Sequence, residues 1–398
     1  MRILALTNLY PNPYQPHRAS FNRQHLRLLA ERHAVRVIAP ISWTDEFVER
    51  RRVGDRLGGV RSVQADGMTI DHPRYVFTPK VLRGHYGKFY LRSVRRAFEH
   101  AVDKFSPDIV YTPWAYPDGW AAVELGSRFG IPVVIKVHGS DVLLLEQNPS
   151  RREPTAEALR GANAIVAVSQ DLAKKVVALS RSPERVHVVY DGADTRLFQP
   201  GSAEDARTRL GLDPKMPVIL SVGNLVPVKG QDVLIDACSR LARNGARFHA
   251  YLIGQGPLRA KLEKQVARLG IGHCFKLLGA LPHAQLPDWF RAASVFCLPS
   301  HSEGVPNVLL ESAACKTPFV ASRVGGIPEI TDFDSCRLVP PSDSDALAKS
   351  LRPYLTIPEN RSRFDSLTVK DIADTALDLE QLFMQTIRDH ERFLVGSN

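Results

Sequence analysis

Short apolar segments rich in Val and Ile alternate along the chain with segments whose apolar residues recur at helical spacing. In the first half, the strand-like segments are residues 2–6, 35–39, 109–111, 133–137, 164–168 and 186–189. The helix-like segments between them are residues 20–32, 86–104, 118–129 and 170–179. Such alternation is typical of βαβ units, and it predicts a doubly wound parallel sheet.

The same alternation restarts in the second half, after two turn-rich stretches at residues 198–202 and 213–217. Its strand-like segments are residues 218–222, 246–253, 274–277, 295–298, 319–321 and 336–339. We therefore predict an α/β fold of two Rossmann-like domains, residues 1–198 and 199–368, that face an interdomain cleft. Residues 369–398 carry apolar residues at helical spacing and are predicted to form a helix that crosses back to the first domain.

Candidate chemistry lies where these strands end, because ligands of open parallel sheets bind at the carboxyl ends of the strands. The loop after residues 218–222 carries Gly223, Asn224 and Lys229, and a helix is predicted to open just after it. A helix N-terminus offers free backbone N–H groups and a positive dipole end, to which Lys229 adds a full charge. The loop therefore suits an anion, although its spacing is not that of a P-loop. A lysine in such a loop can equally be incidental.

A second loop follows residues 295–298 and carries two carboxylates. Gly304 and Pro306 predict a helix that begins near Val305, which places Glu303 at its mouth and Glu311 about one and a half turns along it. A carboxylate is a good bidentate acceptor for vicinal hydroxyls such as those of ribose or a pyranose. Two simpler interpretations stay open at this point: Glu303 as a capping acid and Glu311 on a solvated helix face.

Composition narrows the class of protein. With 44% apolar and 24% charged residues, the 398-residue chain has an ordinary globular composition. No stretch reaches the ~18–20 apolar residues that span a bilayer, and the apolar run at residues 3–6 is too short for a signal-peptide core. We therefore expect a cytoplasmic protein in which the five cysteines are buried free thiols. The cysteines include no C-x-x-C pair, and no metal site is expected.

Positive charge is concentrated in the first half. Residues 1–200 hold 29 Lys and Arg against 20 Asp and Glu, whereas the remainder holds 23 against 22. Such an excess suits an anionic bilayer, a phosphate-bearing substrate or no partner at all. No nucleic-acid partner is expected, because no recognition helix or zinc module accompanies the charge. Residues 81–96 mix basic and apolar residues, which fits a membrane-facing helix and a packed surface helix equally.

Residues 303–311 also match a known motif. Glu303 and Glu311 have the E-x7-E spacing of the retaining, nucleotide-sugar-dependent glycosyltransferases of family 4, which the chain resembles. Further segments that match this family, in its order, are residues 138–141, 191–194, 198–200, 221–223, 229–230, 254–257, 298–300 and 324–329. The resemblance implies the two-domain GT-B architecture and a hexosyltransferase-type reaction. In it, a sugar leaves a nucleoside diphosphate with retention at the anomeric carbon and without a metal or other cofactor.

The resemblance implies roles for individual residues. Glu311 would hold the ribose hydroxyls, Glu303 would contact the donor sugar, and Lys229 would neutralise the leaving diphosphate. His138, just after the strand at residues 133–137, matches a family histidine that reaches the donor sugar from the first domain. Glu303, His138 and Lys229 are thus the expected catalytic residues. Further donor-binding positions implied by the same motifs are Gly223, Asn224, Gly304, Val305, Pro306, Asn307 and Val308.

Two departures from the family pattern affect the expected site. Asn224 stands where the family commonly has an arginine beside the diphosphate, so Lys229 must supply more of the positive charge. The Gly-Gly loop that often follows the first strand is replaced by residues 16–21, in which Ser20 can cap the first helix and Arg18 can supply positive charge. The residues expected on the acceptor side are Arg18, Ser20, Asp118 and Asp141.

Within family 4, the loops at residues 16–21, 114–119 and 138–141 look like the branch that assembles bacterial exopolysaccharide or teichuronic-acid-type cell-wall polymers. The expected partners are a nucleoside diphosphate sugar and a saccharide or polyprenyl-diphosphate-linked acceptor, met by a peripheral enzyme at the inner face of the cell membrane. Three alternatives stay open. They are a nucleotide-sugar 2-epimerase, a catalytically silent saccharide-binding protein of the same fold, and a nicotinamide oxidoreductase, although G-x-G-x-x-G is missing after the first strand.

Overall fold

A computed structural model describes residues 1–16, 18–78, 85–331, 336–355 and 369–396. It divides the chain into two compact units. The first unit comprises Met1–Tyr190 and Ala373–Asn398, and the second comprises Asp191–Ile372. Each unit is an α/β layer structure, as the alternation of strands and helices predicts.

The sheet of the first unit is almost entirely parallel. The strands of this unit are β1 (Arg2–Leu6), β2 (Ala34–Ile38), β3 (Ile41–Ser42), β4 (Ser62–Ala65), β5 (Met68–Asp71), β6 (Arg74–Tyr75), β7 (Ile109–Thr112), β8 (Val133–Val137), β9 (Ala164–Ala167) and β10 (Val186–Val188). Eight of them form one sheet in the order β10-β9-β8-β7-β1-β2-β5-β4, with only the β4–β5 pair antiparallel, while β3 pairs with β6. Strand β8 is buried along its whole length, as expected where helices cover both faces of a parallel sheet.

Helices flank this sheet, and most of them bury apolar side chains against it. They are α1 (Ser20–Ala30), α2 (Trp43–Val53), α3 (Tyr86–Phe105), α4 (Trp120–Phe129), α5 (Ser140–Leu143), α6 (Pro149–Gly161) and α7 (Gln170–Ser180). Helix α3 buries Tyr90, Val94 and Phe98 at intervals of four residues. The part of the basic segment 81–96 that the structure describes is therefore a packed helix, and residues 81–84 lie outside the described residues.

The second unit holds a six-stranded parallel sheet, in the order β13-β12-β11-β14-β15-β16. Its elements are α8 (Ala203–Arg209), β11 (Val218–Val222), α9 (Gln231–Arg243), β12 (His249–Ile253), α10 (Arg259–Arg268), β13 (Phe275–Gly279), α11 (Leu286–Ala292), β14 (Val295–Leu298), α12 (Asn307–Ala314), β15 (Phe319–Ser322), β16 (Arg337–Val339) and α13 (Ser344–Leu351). Its core packs Ile219 and Leu252 of the sheet against Leu234 and Cys238 of α9. Two Rossmann-like units are thus confirmed.

Helix α14 (Ile372–Gly396) returns the chain to the first unit. Its Leu379, Leu382 and Phe383 belong to the apolar core of that unit, and the Phe383 ring lies 5.1 Å from that of Tyr111. The Glu380 carboxylate lies 3.1 Å from the Arg32 guanidinium. Burial of the apolar stripe therefore fixes α14 to the first unit, as its helical periodicity predicts.

Two helices begin two residues later than the sequence predicts, each for a local reason. The helix predicted from residue 118 begins at Trp120, because Ala115–Gly119 form a π-type turn in which Tyr116 has an extended backbone. The helix predicted near Val305 begins at Asn307, because Pro306 also has an extended backbone and serves as the N-cap.

The sequence also predicts that the cysteines are buried free thiols and that no segment spans a bilayer. All five cysteines are free thiols; four are buried, and Cys336 is partly exposed. Among the helices that the structure describes, none combines the length and apolar character required to cross a bilayer.

Candidate functional site

The fold of the second unit brings together two loops that the sequence singles out. Strand β11 pairs with β12 on one side and with β14 on the other, so the order of the strands reverses between β11 and β14. Loops that leave the carboxyl ends of two such strands diverge and open a crevice at the topological switch point. The loop after β11 carries Lys229, and the loop after β14 carries Glu303.

Lys229 and Glu303 form an ion pair at this point. The Lys229 Nζ atom lies 2.6 Å from Glu303 Oε1, and the Ser300 hydroxyl donates to the same oxygen at 2.6 Å. Glu303 is 9% exposed, so its charge is held by specific partners rather than by water. The structure therefore gives Glu303 a defined pair of donors and places it before the N-cap of α12, not at the cap.

Close backbone packing fixes the Glu303 loop. The Gly326 N–H donates to the Gly304 carbonyl at 3.0 Å, which ties the loop after β15 to the loop after β14. Gly325 has φ +52°, and a Cβ atom there would lie 1.8 Å from the Glu303 carbonyl oxygen. Only glycine fits both this left-handed conformation and this approach.

Glu311 lies on α12 and is buried, which rules out a solvated helix face. Its Oε1 atom lies 2.8 Å from His283 Nε2, in the short helix His283–Gln285 that follows β13. Its Oε2 atom is buried and has no hydrogen-bond partner among the described residues. Burial alone would lower the pKa of His283, but its hydrogen bond to Glu311 and the charges of Glu311 and Asp194 raise it above the usual value.

The remaining donor-side positions lie around the start of α12 and the end of β11. Gly304, Val305 and Pro306 are buried, whereas Asn307 and Val308 form the half-exposed first turn of α12. The N–H groups of a first turn have no partner within the helix. Gly223 lies at the end of β11, where its N–H donates to Ile253, and it is followed by the exposed Asn224. The Asn224 carbonyl accepts from the Gln231 side chain at 2.8 Å.

His138 and Asp141 lie together at the end of β8 in the first unit. The Asp141 carboxylate accepts from the backbone N–H groups of His138 and Gly139, at 3.2 and 2.9 Å. Burial raises the pKa of Asp141 to about 6 against these hydrogen bonds. The His138 ring lies 5.0 Å from that of Phe21 on α1. Asp141 thus fixes the loop that carries His138.

Asp118 is another buried carboxyl group of the first unit. It is fully buried in the π-type turn, and its Oδ1 atom accepts from the Asn8 N–H at 3.2 Å. Burial raises the pKa of Asp118 to about 7, although the nearby Tyr90 hydroxyl and the Arg18 charge act to lower it. The Tyr75 ring lies 5.1 Å from that of Tyr90, so a cluster of aromatic side chains lies beside this carboxyl.

Arg18 and Ser20 lie at the start of α1. The Arg18 guanidinium donates to Gln15 at 2.7 Å and lies 3.4 Å from the Asp45 carboxylate. Ser20 is the first residue of α1, and the N-cap is Ala19, whose backbone is left-handed at φ 45°. The expectation that Ser20 caps this helix is therefore wrong, since no side chain caps it.

Sequence reasoning missed His283 and gave no role to Ser300. The signal for His283 was its position just after β13, where the strand-end rule applies as well as it does for Lys229. The aromatic cluster around Asp118 was also missed, although Tyr86 and Tyr90 stand four residues apart on one helix face. Among the residues that the structure describes, no group of three or more His, Cys, Asp or Glu side chains could hold a metal ion.

Family models match both units. The model described as Glycosyltransferase Family 4 matches residues 20–197, and the model described as Glycosyl transferases group 1 matches residues 202–369. Together with the parallel sheets and the switch-point site, these matches define a glycosyltransferase of the GT-B type. The chain belongs to glycosyltransferase family 4.

Curated relatives agree with this assignment. The chain is 32% identical to a D-inositol 3-phosphate glycosyltransferase of Frankia alni, over 64% of this chain and 67% of that protein. It is 28% identical to the putative teichuronic acid biosynthesis glycosyltransferase TuaC of Bacillus subtilis, over 89% of each chain. For several further D-inositol 3-phosphate glycosyltransferases, the chain spans 62% to 65% of the relative's length.

Solved structures share the fold. Sucrose-phosphate synthase of Thermosynechococcus elongatus aligns with a TM-score of 0.81 at 21% identity, over 98% of this chain and 100% of that one. HepE of Anabaena, solved in complex with UDP, aligns with a TM-score of 0.68 at 19% identity over the whole of both chains. At this level of identity, the likeness concerns the architecture.

Proposed function

We propose that the chain is a retaining, metal-independent glycosyltransferase that moves a sugar from a nucleoside diphosphate sugar to a saccharide or lipid-linked acceptor in cell-surface polysaccharide synthesis. The observation that carries the proposal is the Lys229–Glu303 ion pair at the switch point of the second unit. It sets a cation and a carboxylate beside a helix N-terminus, which together can bind a diphosphate and the hydroxyls of its sugar.

The nucleotide would bind along the loops after β11 and β14. Lys229 would pair with the diphosphate, and the first-turn amides of α12, at Asn307 and Val308, would donate to it. The unpartnered Oε2 atom of Glu311 supports a role as acceptor for the ribose hydroxyls. HepE, which shares the fold, has been solved with UDP and with UDP-glucose, and these ligands are the first probes to try.

Catalysis in this proposal is electrostatic. As the glycosidic bond breaks, negative charge grows on the leaving diphosphate, and Lys229 stabilises it in the way that a metal ion does in other transferases. A leaving phosphate oxygen on the acceptor's side of the sugar takes the acceptor's proton, so the new bond forms on the face that the diphosphate leaves. No protein nucleophile is needed. Glu303, released from Lys229, would accept from hydroxyls of the donor sugar. His138 is the third proposed catalytic residue.

The acceptor would bind the first unit, where Arg18, Ser20, Asp118 and Asp141 are the proposed acceptor-side residues. Resemblance to TuaC over 89% of the chain favours a cell-wall saccharide, which polyprenyl diphosphate can carry at the inner face of the cell membrane. We place the enzyme in the cytoplasm and peripherally at that face. The excess of basic residues in residues 1–200 would favour an anionic lipid surface.

Helix α2 offers a specific surface for this attachment. Phe47, Val48 and Val53 are 50%, 60% and 36% exposed, and the Arg51 guanidinium lies 4.2 Å from the centre of the Phe47 ring. Glu46, which precedes Phe47, is buried; it pairs with Arg61 and Arg74 and anchors the helix. Exposed apolar side chains can insert into a lipid surface, and neighbouring arginines can pair with its anionic headgroups.

The proposal is tested with UDP-, GDP- and ADP-linked sugars against the wild type and Glu311→Ala. We expect one donor to raise the thermal unfolding midpoint of the wild type and not that of the variant. NMR of the product formed with that donor should then show the anomeric configuration of the donor. Release of an epimerised sugar without an acceptor would favour the epimerase alternative, and binding without any transfer or hydrolysis would favour a silent saccharide-binding protein.

A further inference from the structure

The side chain that holds Glu311 comes from a part of the chain that the family motifs do not include. His283 lies in the short helix after β13, 28 residues before Glu311, and its Nε2 atom lies 2.8 Å from Glu311 Oε1. Since an ionised carboxylate can only accept, His283 Nε2 must carry the proton and donate it. The other carboxylate oxygen, Glu311 Oε2, is buried and has no hydrogen-bond partner among the described residues.

An aromatic side chain packs against the His283 ring. The Phe198 ring meets it edge to face at 5.0 Å, and Phe198 is buried against Phe290 of α11, 5.8 Å away. Phe198 follows a turn in which the Asp194 carboxylate accepts from the N–H groups of Arg196 and Leu197. The imidazole is thus fixed in orientation by an aromatic contact on one side and a carboxylate on the other.

Charge at this place favours the protonated imidazole. The charges of Glu311 on α12 and of Asp194, in the turn that precedes Phe198, both act to raise the pKa of His283. The acidic side chain of α11, Asp288, is paired with Arg291 of the same helix and with Arg209 of α8. A charge-assisted hydrogen bond to the carboxylate is stronger than a neutral one, so it can hold Glu311 in one rotamer.

We propose that His283 is a positioning residue for Glu311. It occupies Oε1 and aims Oε2 at the ribose hydroxyls of the nucleotide. This inference rests on the proposed function, because it assumes that Glu311 binds ribose. It predicts that His283 acts on one part of the ligand only: its loss should remove the contribution of the ribose hydroxyls and leave the contribution of the diphosphate.

The test compares nucleotides with and without a ribose hydroxyl. Affinities of UDP, GDP and ADP are measured by calorimetry for the wild type, and the nucleotide that binds is then compared with its 2′-deoxy and 3′-deoxy forms. In the wild type, loss of a hydroxyl read by Glu311 should weaken binding about tenfold. In His283→Ala, loss of the same ribose hydroxyl should weaken binding less than about twofold, because the Glu311 carboxylate is no longer held in the orientation that reaches this hydroxyl.

Conservative variants distinguish a role of His283 in orienting Glu311 from a role in packing alone. The amide of His283→Gln reaches about as far as Nε2 and should restore the discrimination between ribose and deoxyribose, whereas the shorter amide of His283→Asn should not. His283→Phe keeps an aromatic contact with Phe198 but has no donor, and it should behave like His283→Ala. His273→Ala, at an exposed histidine in the same unit, is the matched control and should match the wild type.

Each outcome decides one question. If no nucleotide binds the wild type, the proposed function fails, and this inference fails with it. If a nucleotide binds and His283→Ala weakens the ribose and deoxyribose forms by the same factor, His283 has only a structural role, and the inference alone is overturned. Loss of discrimination in His283→Ala with recovery in His283→Gln supports the positioning role.

Discussion

The Nζ atom of Lys229 lies 2.6 Å from Oε1 of Glu303, an oxygen that also accepts from Ser300. The Lys229 side chain is 24% exposed and that of Glu303 is 9% exposed, so the pair is screened only partly from solvent. A diphosphate that binds Lys229 must compete with the Glu303 carboxylate, and the carboxylate is then released towards the ligand. In the proposed function, the two residues would therefore act in sequence rather than independently.

This competition predicts opposite effects on binding and on transfer. Glu303→Gln removes the competing charge, so the affinity for the nucleoside diphosphate should stay equal or rise up to about threefold, while sugar transfer falls at least about 100-fold. Lys229→Ala removes a charge-assisted contact and should weaken nucleotide binding by about 30- to 100-fold, with transfer lost as well. Calorimetry with the nucleoside diphosphate that binds the wild type and initial rates with its sugar donor measure the two quantities.

Lys276→Ala is the control for Lys229→Ala, since Lys276 is an exposed lysine on β13 of the same unit. It should change neither quantity. A Glu303→Gln variant that bound the nucleotide as weakly as Lys229→Ala would show that the carboxylate supports the lysine rather than competes with it.

Gly325 gives a prediction about the loop that carries Glu303. In Gly325→Ala, the new Cβ would lie 1.8 Å from the Glu303 carbonyl oxygen, at a backbone φ of +52°. Both the overlap and the left-handed conformation are unfavourable, so we expect a loss on the order of 3 kcal/mol in unfolding free energy and loss of transfer. Gly211→Ala has a similar φ of +66° but no atom within 4 Å of the added methyl, and it should lose only about 1 kcal/mol.

Thermal unfolding and transfer assays of the two variants distinguish two effects. Both variants share the backbone strain of a positive φ, whereas only Gly325→Ala displaces the loop that carries Glu303. An equal loss of unfolding free energy in Gly325→Ala and Gly211→Ala would mean that the overlap with the Glu303 carbonyl oxygen is relieved without a further loss of stability. If Gly325→Ala retained full transfer, the Glu303 loop would not need its observed position.

The strands could be predicted from the sequence because a buried parallel strand needs an unbroken apolar run. Strands β1, β8, β11 and β14 have the predicted bounds. The strand predicted at 246–253 begins only at His249, since an apolar run alone does not mark where pairing starts. Helix α2 was not predicted at all, because it is mostly polar and is held by the ion pairs of Glu46 with two distant arginines.

The candidate site could be predicted where it depends on local sequence, and not where it depends on packing. Lys229 and Glu303 each follow a strand, so adjacent strands bring them together. The contact of His283 with Glu311 depends on how the loop after β13 folds over α12, which no local pattern specifies. Burial of Asp118, with its effect on pKa, likewise arises only when α3 and the π-type turn pack together.

Asp118 gives a prediction about pH. Burial raises its pKa to about 7 in the folded protein, while the unfolded chain keeps the ordinary value of 3.8. Between these values the folded state binds more protons than the unfolded state, so this group lowers stability as pH rises from about 4 to about 7. Asp118→Asn cannot ionise and should be more stable than the wild type at pH 8, by on the order of 2–4 kcal/mol, with the difference shrinking towards pH 5.

Thermal unfolding of both proteins at pH 5, 6, 7 and 8 measures this difference. Asp103→Asn, on the exposed side of α3, is the control and should show no such trend, since its carboxylate is 69% exposed. A stability difference between Asp118→Asn and the wild type that stayed constant with pH would mean that Asp118 is ionised throughout this range.

The surface of α2 gives a prediction about membrane attachment. The double variant Phe47→Ser/Arg51→Glu removes an exposed ring and reverses the charge beside it, which should weaken binding to phosphatidylglycerol vesicles at least about tenfold. Sedimentation with phosphatidylglycerol vesicles and with phosphatidylcholine vesicles measures this effect. The first unit supplies a matched control in Arg128 and Phe129, whose guanidinium and ring centre lie 5.8 Å apart on the end of α4. Arg128→Glu/Phe129→Ser changes the charge equally and also removes a partly exposed ring, so an equal loss of binding would indicate that net charge, and not α2, directs the protein to lipid.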